Sequence, residues 1–197
     1  MVKQRPKHSH LKENKNPIKE EKPLKNSFCI AVITVLVFLL YFPILKNGFT
    51  NDDDVALVKD NYEFLSKPSN FTEIFKHSVF YSTTKISDTY YRPILSLSFF
   101  ADTQIAGKHY WYFFLTDILL HLSCCVLLFF LLKKLLYSPS VAFLFSLILA
   151  VHPAMVTAVA WLPGRNDTLL TLFSLLSFYF LIEYILKKKF LPFYIYS

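Results

Sequence analysis

Three consecutive aspartates, Asp52, Asp53 and Asp54, follow closely after an apolar stretch of the chain that is long enough to enter a membrane. Neighbouring like charges at a low-dielectric interface raise the pKa of at least one carboxyl, and a carboxylate tuned in this way is a workable general base. The competing interpretation is a solvated acidic loop, because perturbed carboxylates also occur in purely structural networks. The aspartates are therefore candidate catalytic residues at a membrane face.

Two arginines lie in separate polar segments, Arg92 in "YYRP" beside Tyr91 and Arg165 in "GRND". A guanidinium flanked by tyrosines suits a phosphate group, which it binds through two parallel hydrogen bonds. The alternative for each arginine is a side chain that extends to water beside an interfacial belt of aromatic residues. Arg92, Arg165 and Tyr91 are therefore candidate substrate-binding residues.

Ionisable residues also interrupt the apolar stretches. Asp117 and His121 lie one helical turn apart, so the sequence predicts that they share a helix face and pair inside the membrane. His152 ends an apolar run before a proline, which makes it either a substrate-binding residue or a hydrogen-bonded structural one. No second ligand is spaced with it, so no metal site is predicted, although a divalent cation stays open as a cofactor.

The elements that must position these residues follow from an uneven distribution of charge. The chain has 197 residues and is 54% hydrophobic, with charges gathered in the first 26 residues, in 46–108 and in two lysine clusters. The long uncharged runs between them are typical of a polytopic helical membrane protein. The sequence therefore predicts the all-α class.

The basic tail accounts for much of the net charge of +7. Residues 1–26 hold eight lysines and arginines, three acids and three prolines, which predicts a disordered cytoplasmic tail over 1–27. A basic arm beside a membrane span usually sets topology and contacts anionic lipid, so the bilayer rather than a nucleic acid is the expected partner.

Four complete spans and the start of a fifth, in "FLPFYIYS", are predicted. A long outer loop with short interfacial helices separates the first span from the second. The predicted spans cover about 28–45, 111–132, 141–159 and 168–186, and the loop covers 46–110.

The lysine clusters give the orientation. A cytoplasmic amino terminus puts Lys133-Lys134 and Lys187–Lys189 on the same side as the basic tail, as the positive-inside rule requires. The outer loop has no basic excess, because 46–108 carries seven basic and eight acidic residues. The candidate site residues then lie at or near the outer face.

Several motifs, in this order, resemble the GT-C-type integral membrane glycosyltransferases. They are "NGFTNDDD…N", "YYRPILSLSF", "LLH" and "AVHPAMVTAVAWLPGRNDTLL". The chain is most similar to bacterial relatives of the transmembrane and tetratricopeptide-repeat O-mannosyltransferases. That resemblance covers roughly 28–186 and implies that the chain is the amino-terminal piece of a longer protein in a bacterial inner membrane.

The resemblance implies transfer of a sugar, with inversion, from a polyprenyl-phosphate donor to a protein or glycan hydroxyl on the extracytoplasmic face. The acidic pair of the family precedes an asparagine by about eight positions. Counting back from Asn61 gives Asp53 and Asp54, and a one-residue slip gives Asp52 and Asp53.

The chain departs from the family pattern at Phe114 and Asp117, where a histidine and an asparagine are common, and at Thr157, where an acid is common. These departures keep an alternative open. In it the chain is non-catalytic, as a transport or assembly subunit or as the scaffold of a degenerate transferase.

Overall fold

The computed structural model describes residues 24–49, 52–81, 90–136 and 138–187. Every regular element within these ranges is helical, which confirms the predicted all-α class. The tail before Leu24 and the predicted start of a fifth span lie outside the described residues.

Six helices of six or more residues carry the architecture in the described part of the chain. They are α1 (Asn26–Tyr41), α2 (Pro93–Ala106), α3 (Tyr110–Leu136), α4 (Pro139–Val151), α5 (Met155–Ala160) and α6 (Arg165–Lys187). Shorter helical turns cover Phe42–Lys46, Asp52–Asp54, Val55–Lys59, Tyr62–Leu65, Pro68–Phe71, Glu73–Phe75 and Leu162–Gly164.

Three stretches in the described ranges are long and apolar enough to cross a membrane, namely Asn26–Lys46, Tyr110–Leu136 and Leu162–Leu186. Their 21, 27 and 25 residues each exceed the roughly 20 that a helix needs to cross the hydrocarbon core. They overlap the predicted first, second and fourth spans, so the chain is a polytopic helical membrane protein.

The continuous helix predicted over 141–159 is wrong. Helix α4 has 13 residues and ends at Val151, and a separate helix α5 begins at Met155. The cause is Pro153, because a proline disfavours helical geometry in the residue before it, and His152 is extended at φ −66° and ψ 129°. Helix α4 is therefore only about 20 Å long, shorter than the roughly 30 Å hydrocarbon core.

Helix α3 is the centre of the bundle and packs against α1, α4, α5 and α6. One apolar cluster joins α1, α3 and α4 through fully buried side chains that include Ile33, Phe129 and Ala142. A second cluster packs α2 and the turns of 52–81 over Phe113 at the start of α3. Leu57 and Val58 of the acidic segment, by which we mean residues 52–60, belong to this second cluster and fix the segment to it.

The two ends of the bundle differ in charge. Lys133 Nζ donates to Asn26 Oδ1 at 2.8 Å, and Lys134 pairs with Glu183, so the start of α1 and the ends of α3 and α6 meet. The start of α6 instead lies beside the start of α3, through the bond from Arg165 to the Phe113 carbonyl, and beside the acidic segment, through the bond from Leu162 to Asp54. The Lys133-Lys134 cluster and the acidic segment therefore occupy opposite ends.

Candidate functional site

The aspartates of the acidic segment differ in their exposure to water. Asp53 is exposed, whereas Asp54 is 0% exposed. Successive helical residues point about 100° apart, and the following turn is anchored by Leu57 and Val58, which are also buried. Asp52 begins the helical turn, and its side chain lies outside what the structure describes.

Asp54 is held by a backbone group that is distant in sequence. Its Oδ1 accepts a hydrogen bond from the Leu162 N–H at 3.1 Å. Leu162 begins the turn Leu162–Gly164, which leads directly into α6. The bond therefore fixes the acidic segment to the start of the third membrane-spanning stretch.

Gly164 makes that turn possible. A Cβ atom on this residue would lie 2.3 Å from the Thr157 carbonyl oxygen and 2.9 Å from the Ala158 Cα, both of them backbone atoms. Only a residue without a side chain allows the turn to pack this closely on α5. The glycine that the sequence places in "GRND" is thus required by a close backbone approach.

Arg165, the next residue, is wholly buried at the centre of a charge cluster. Its Nε donates to Asp117 Oδ1 at 2.5 Å and its Nη1 donates to Asp102 Oδ2 at 2.6 Å. Its Nη2 donates to the Phe113 carbonyl at 2.7 Å, and its Nη1 also reaches Ser98 Oγ at 3.2 Å. One guanidinium therefore joins α2, α3 and α6.

This burial corrects the prediction that Arg165 binds substrate. The guanidinium has protein acceptors on each of its three nitrogens, and it lies 4.5 Å from the centre of the Phe99 ring. A phosphate has no access to a side chain that is 0% exposed. Arg165 is a structural residue, since a charge buried at this depth must be paired.

The predicted Asp117–His121 pair is also wrong. Asp117 accepts from Arg165, whereas His121 Nε2 lies 3.5 Å from the Ala150 carbonyl and 3.7 Å from Cys125 Sγ. The two residues do share a helix, but the full positive charge of the guanidinium is the stronger partner for a buried carboxylate.

Asp102 is the residue of the cluster that the sequence analysis missed. Besides Arg165 it accepts a hydrogen bond from Thr116 Oγ1 at 2.9 Å. Burial raises the pKa of Asp102, and the positive charge of Arg165 and the donated hydrogen bonds oppose that rise. The available signal was the spacing of Ser98 and Asp102, which puts two polar groups one turn apart on an apolar helix.

The remaining candidates stay at the surface. Arg92 is half-buried and lies 5.4 Å from the centre of the Tyr90 ring, and Tyr91 is exposed and donates its hydroxyl to the Phe75 carbonyl at 2.7 Å. His152 is exposed, and its Nδ1 accepts from the Ala154 N–H at 3.2 Å, which caps the break after α4. The partners that the described residues give to these three side chains are Tyr90, Phe75 and Ala154, and none of these is an aspartate of the acidic segment.

The structure defines a class of protein, an all-α polytopic membrane protein in which an acidic surface segment is anchored on a buried charge cluster at one end of the bundle. Residues 94–196 match the family model described as dolichyl-phosphate-mannose-protein mannosyltransferase. The chain belongs to that family, and the predicted resemblance to GT-C-type glycosyltransferases is confirmed.

Curated relatives extend the likeness toward the amino terminus. The chain is 33% identical over 148 residues to protein O-mannosyl-transferase TMTC2 of Mus musculus, which covers 74% of this chain and 18% of the relative. It is 32% identical over 143 residues to TMTC1 of Mus musculus, covering 71% and 15%. It is 30% identical over 168 residues to TMTC4 of Mus musculus, covering 77% and 22%.

The chain thus spans about a fifth of the length of the curated relatives that it matches. No solved structure matches it.

Proposed function

We propose that the chain is the amino-terminal part of a membrane glycosyltransferase that moves a sugar from a polyprenyl-phosphate donor to a protein or glycan hydroxyl. Family membership supports this proposal, because the family description names a dolichyl-phosphate-mannose donor and a protein acceptor. The relatives are named protein O-mannosyl-transferases, which supports mannose as the sugar.

The observation that carries the proposal is the difference in exposure and in fixation between the neighbouring side chains of Asp53 and Asp54. Asp53 is exposed beside a neighbour that is fully buried and fixed by the Leu162 N–H. A general base must be reachable by the acceptor and must also be held in place. Asp53 is therefore the proposed base, and Asp54 is the anchor that holds the base in position.

The reaction then proceeds by inversion at the sugar. The acceptor hydroxyl loses its proton to the Asp53 carboxylate as its oxygen forms a bond to the anomeric carbon. The bond from that carbon to the phosphate oxygen breaks, and its electron pair stays on the phosphate. Arg92 is proposed to stabilise the charge that develops there, because its guanidinium is half-buried beside the Tyr90 ring and has no ion pair among the described residues.

The orientation follows from the polarity of the bundle. The acidic segment and the Lys133-Lys134 cluster lie at opposite ends, and lysines near membrane spans favour the cytoplasm. The proposed site therefore faces the extracytoplasmic side, where the donor phosphate lies at the bilayer surface and the acceptor arrives from water. The bacterial inner membrane stays a prediction, since the relatives described above are from the mouse.

The test is Asp53→Asn, which keeps the shape of the side chain and removes its basicity. Membranes that contain the protein are supplied with polyprenyl-phosphate mannose, and mannose in the acceptor fraction is measured. We expect transfer to fall roughly 10²–10⁴-fold, the usual contribution of a general base. The amount of protein in the membrane should stay the same, because Asp53 is exposed.

Asp60→Asn is the matched control, since Asp60 is another exposed aspartate of the same segment. Full transfer in Asp53→Asn would refute the assignment of the base. Equal loss in both variants would point to a general effect of charge on the segment.

The alternative is a degenerate scaffold. It is favoured by Phe114, which is 2% exposed in the apolar cluster, at a position where the resemblance to the family led us to expect a histidine. The same assay, done with the whole protein that contains this chain, decides between the two, because a scaffold gives no transfer in its unsubstituted form.

A further inference from the structure

A cavity of about 180 Å³ opens between α3, α5 and α6. One of its walls includes Trp161 and Gly164, which flank the Leu162 N–H that holds Asp54. Its inner end reaches His121 and Cys124 on α3. The turn Leu162–Gly164 therefore contacts both the cavity and Asp54 of the acidic segment. Neither Asp53 nor Arg92, the residues proposed to act in the reaction, lines the cavity.

The threonine and aspartate side chains of the wall accept hydrogen bonds from a ligand rather than donate them. Thr157, Thr168 and Thr171 line the cavity, and each hydroxyl donates its proton to a backbone carbonyl, at 3.2, 3.1 and 2.8 Å. What these hydroxyls offer a ligand is their oxygen lone pairs. Asp167, in the first turn of α6, adds a carboxylate, which only accepts.

This chemistry selects among ligands. A wall of acceptor oxygens with one carboxylate repels a phosphate and favours a compound that carries several hydroxyl groups. Hydrogen bonds to a charged acceptor are about twice as strong as neutral ones, so Asp167 should dominate recognition.

The size and shape of the cavity limit the ligand further. At about 180 Å³ the cavity is smaller than the roughly 300–1,000 Å³ of sites for drug-sized ligands, and it suits one small ring. Trp161 is half-buried in its wall. An indole gives a flat apolar surface on which the C–H face of a pyranose can lie, while the hydroxyls at the ring edge meet the acceptor oxygens.

We propose that this cavity is a sugar-binding subsite that holds one pyranose ring, either from the lipid-linked donor or from a glycan acceptor. Asp167 and Thr171 accept hydrogen bonds from the hydroxyls of the ring, and Trp161 packs against its face. The role of the bound sugar as part of a donor or an acceptor rests on the proposed function. Its binding to the cavity is measured without any transfer reaction.

The experiment uses the fluorescence of Trp161. Trp161 becomes the single reporter when every other tryptophan of the protein is replaced, which in this chain means Trp111→Phe, since the chain has two tryptophans. The protein is placed in phospholipid nanodiscs free of glycolipids and of maltoside detergents, whose sugar headgroups would compete. Methyl α-mannopyranoside is the probe, and we expect a saturable change in emission.

Asp167→Asn in the same background should weaken binding of the probe about ten-fold, because a hydrogen bond to a charged group becomes a neutral one. Asp60→Asn is the matched control and should leave the affinity unchanged. An unchanged affinity in Asp167→Asn would overturn the proposal. So would cyclohexanol binding as tightly as the mannoside, because the cavity would then be a merely apolar pocket.

A second probe, α-mannose 1-phosphate, distinguishes the two sources of the sugar. Affinity similar to that of the methyl mannoside assigns the subsite to the donor sugar, whose phosphate then lies outside the cavity. If α-mannose 1-phosphate binds at least ten-fold more weakly than the methyl mannoside, the subsite is assigned to an acceptor glycan. If neither the methyl mannoside nor α-mannose 1-phosphate binds saturably, the subsite is refuted.

The two hypotheses fail separately. If Asp53→Asn abolishes transfer and no sugar binds at Trp161, the subsite is wrong and the transferase stands. If the mannoside binds and the unsubstituted protein transfers nothing, the subsite stands and the transferase is wrong.

Discussion

Replacing Arg165 by methionine tests the structural assignment of this residue most directly. The change removes the guanidinium that pairs with the buried carboxyl groups of both Asp102 and Asp117. Breaking a buried ion pair on one side leaves an uncompensated charge and costs about 3–5 kcal/mol. A domain of about 200 residues loses about 2–4 °C of Tm per kcal/mol, so the expected loss is roughly 6–20 °C.

The chain supplies its own reporter for this measurement. Cys29, Cys124 and Cys125 are free and buried, so a thiol-reactive fluorogenic dye labels them only as the protein unfolds. The Tm of Arg165→Met is compared with that of Arg92→Met. Arg92 is half-buried and has no ion pair among the described residues, so its replacement should cost less than about 1 kcal/mol.

A compensated variant separates lost charge pairing from lost packing. Arg165→Met combined with Asp102→Asn and Asp117→Leu removes all three charges together, and such replacements are often neutral or stabilising. We expect this triple variant to recover most of the lost Tm.

Two results would refute this reasoning. The first is a Tm for Arg165→Met within 2 °C of the unsubstituted protein, well short of the roughly 6–20 °C expected. The second is a stable Arg165→Met protein with weakened donor binding, which would return Arg165 to the substrate site.

Two further predictions concern the turn and the remaining arginine. Gly164→Ala should destabilise the protein by about 1–3 kcal/mol in the same dye assay, because its Cβ would lie 2.3 Å from the Thr157 carbonyl oxygen; a Tm equal to that of the unsubstituted protein would contradict this. Arg92→Lys should raise the KM for the polyprenyl-phosphate donor about ten-fold, because a point charge lacks the two-pronged geometry of guanidinium; an unchanged KM would leave Arg92 as an interfacial side chain.

Much of the architecture could be predicted because it follows from composition along the chain. Runs of apolar residues without charge must be helical in a bilayer, since no other open structure satisfies the backbone there. The same logic failed over 141–159, where composition is apolar throughout but Pro153 ends the helix at the residue before it. The restriction that Pro153 places on the backbone of His152 therefore decided where the helix ends, although the apolar pattern continues.

The site was harder to predict because pairing in space does not follow spacing in sequence. Asp117 and His121 share a helix face, yet Asp117 pairs with Arg165, 48 residues away. Arg165 resembles a phosphate ligand in sequence because it stands in a polar turn, and only its burial reveals that protein carboxylates occupy it. Sequence spacing shows which groups are near one another on a helix, and the packing of other helices decides which of them meet.

The contrast between Asp53 and Asp54 links these observations to the proposed chemistry. Asp54 is fixed to Leu162, and three residues later the Arg165 cluster ties the same turn to α2 and α3. Helix α2 begins directly after Arg92, so the arginine and the acidic segment are both attached to one buried cluster. Displacing that cluster by 1 Å would move the proposed base relative to the proposed phosphate ligand, and a misplacement of this size can cost about 10²-fold in rate. The buried charges are therefore best explained as the rigid support on which the exposed carboxylate of Asp53 and the half-buried guanidinium of Arg92 keep a constant separation.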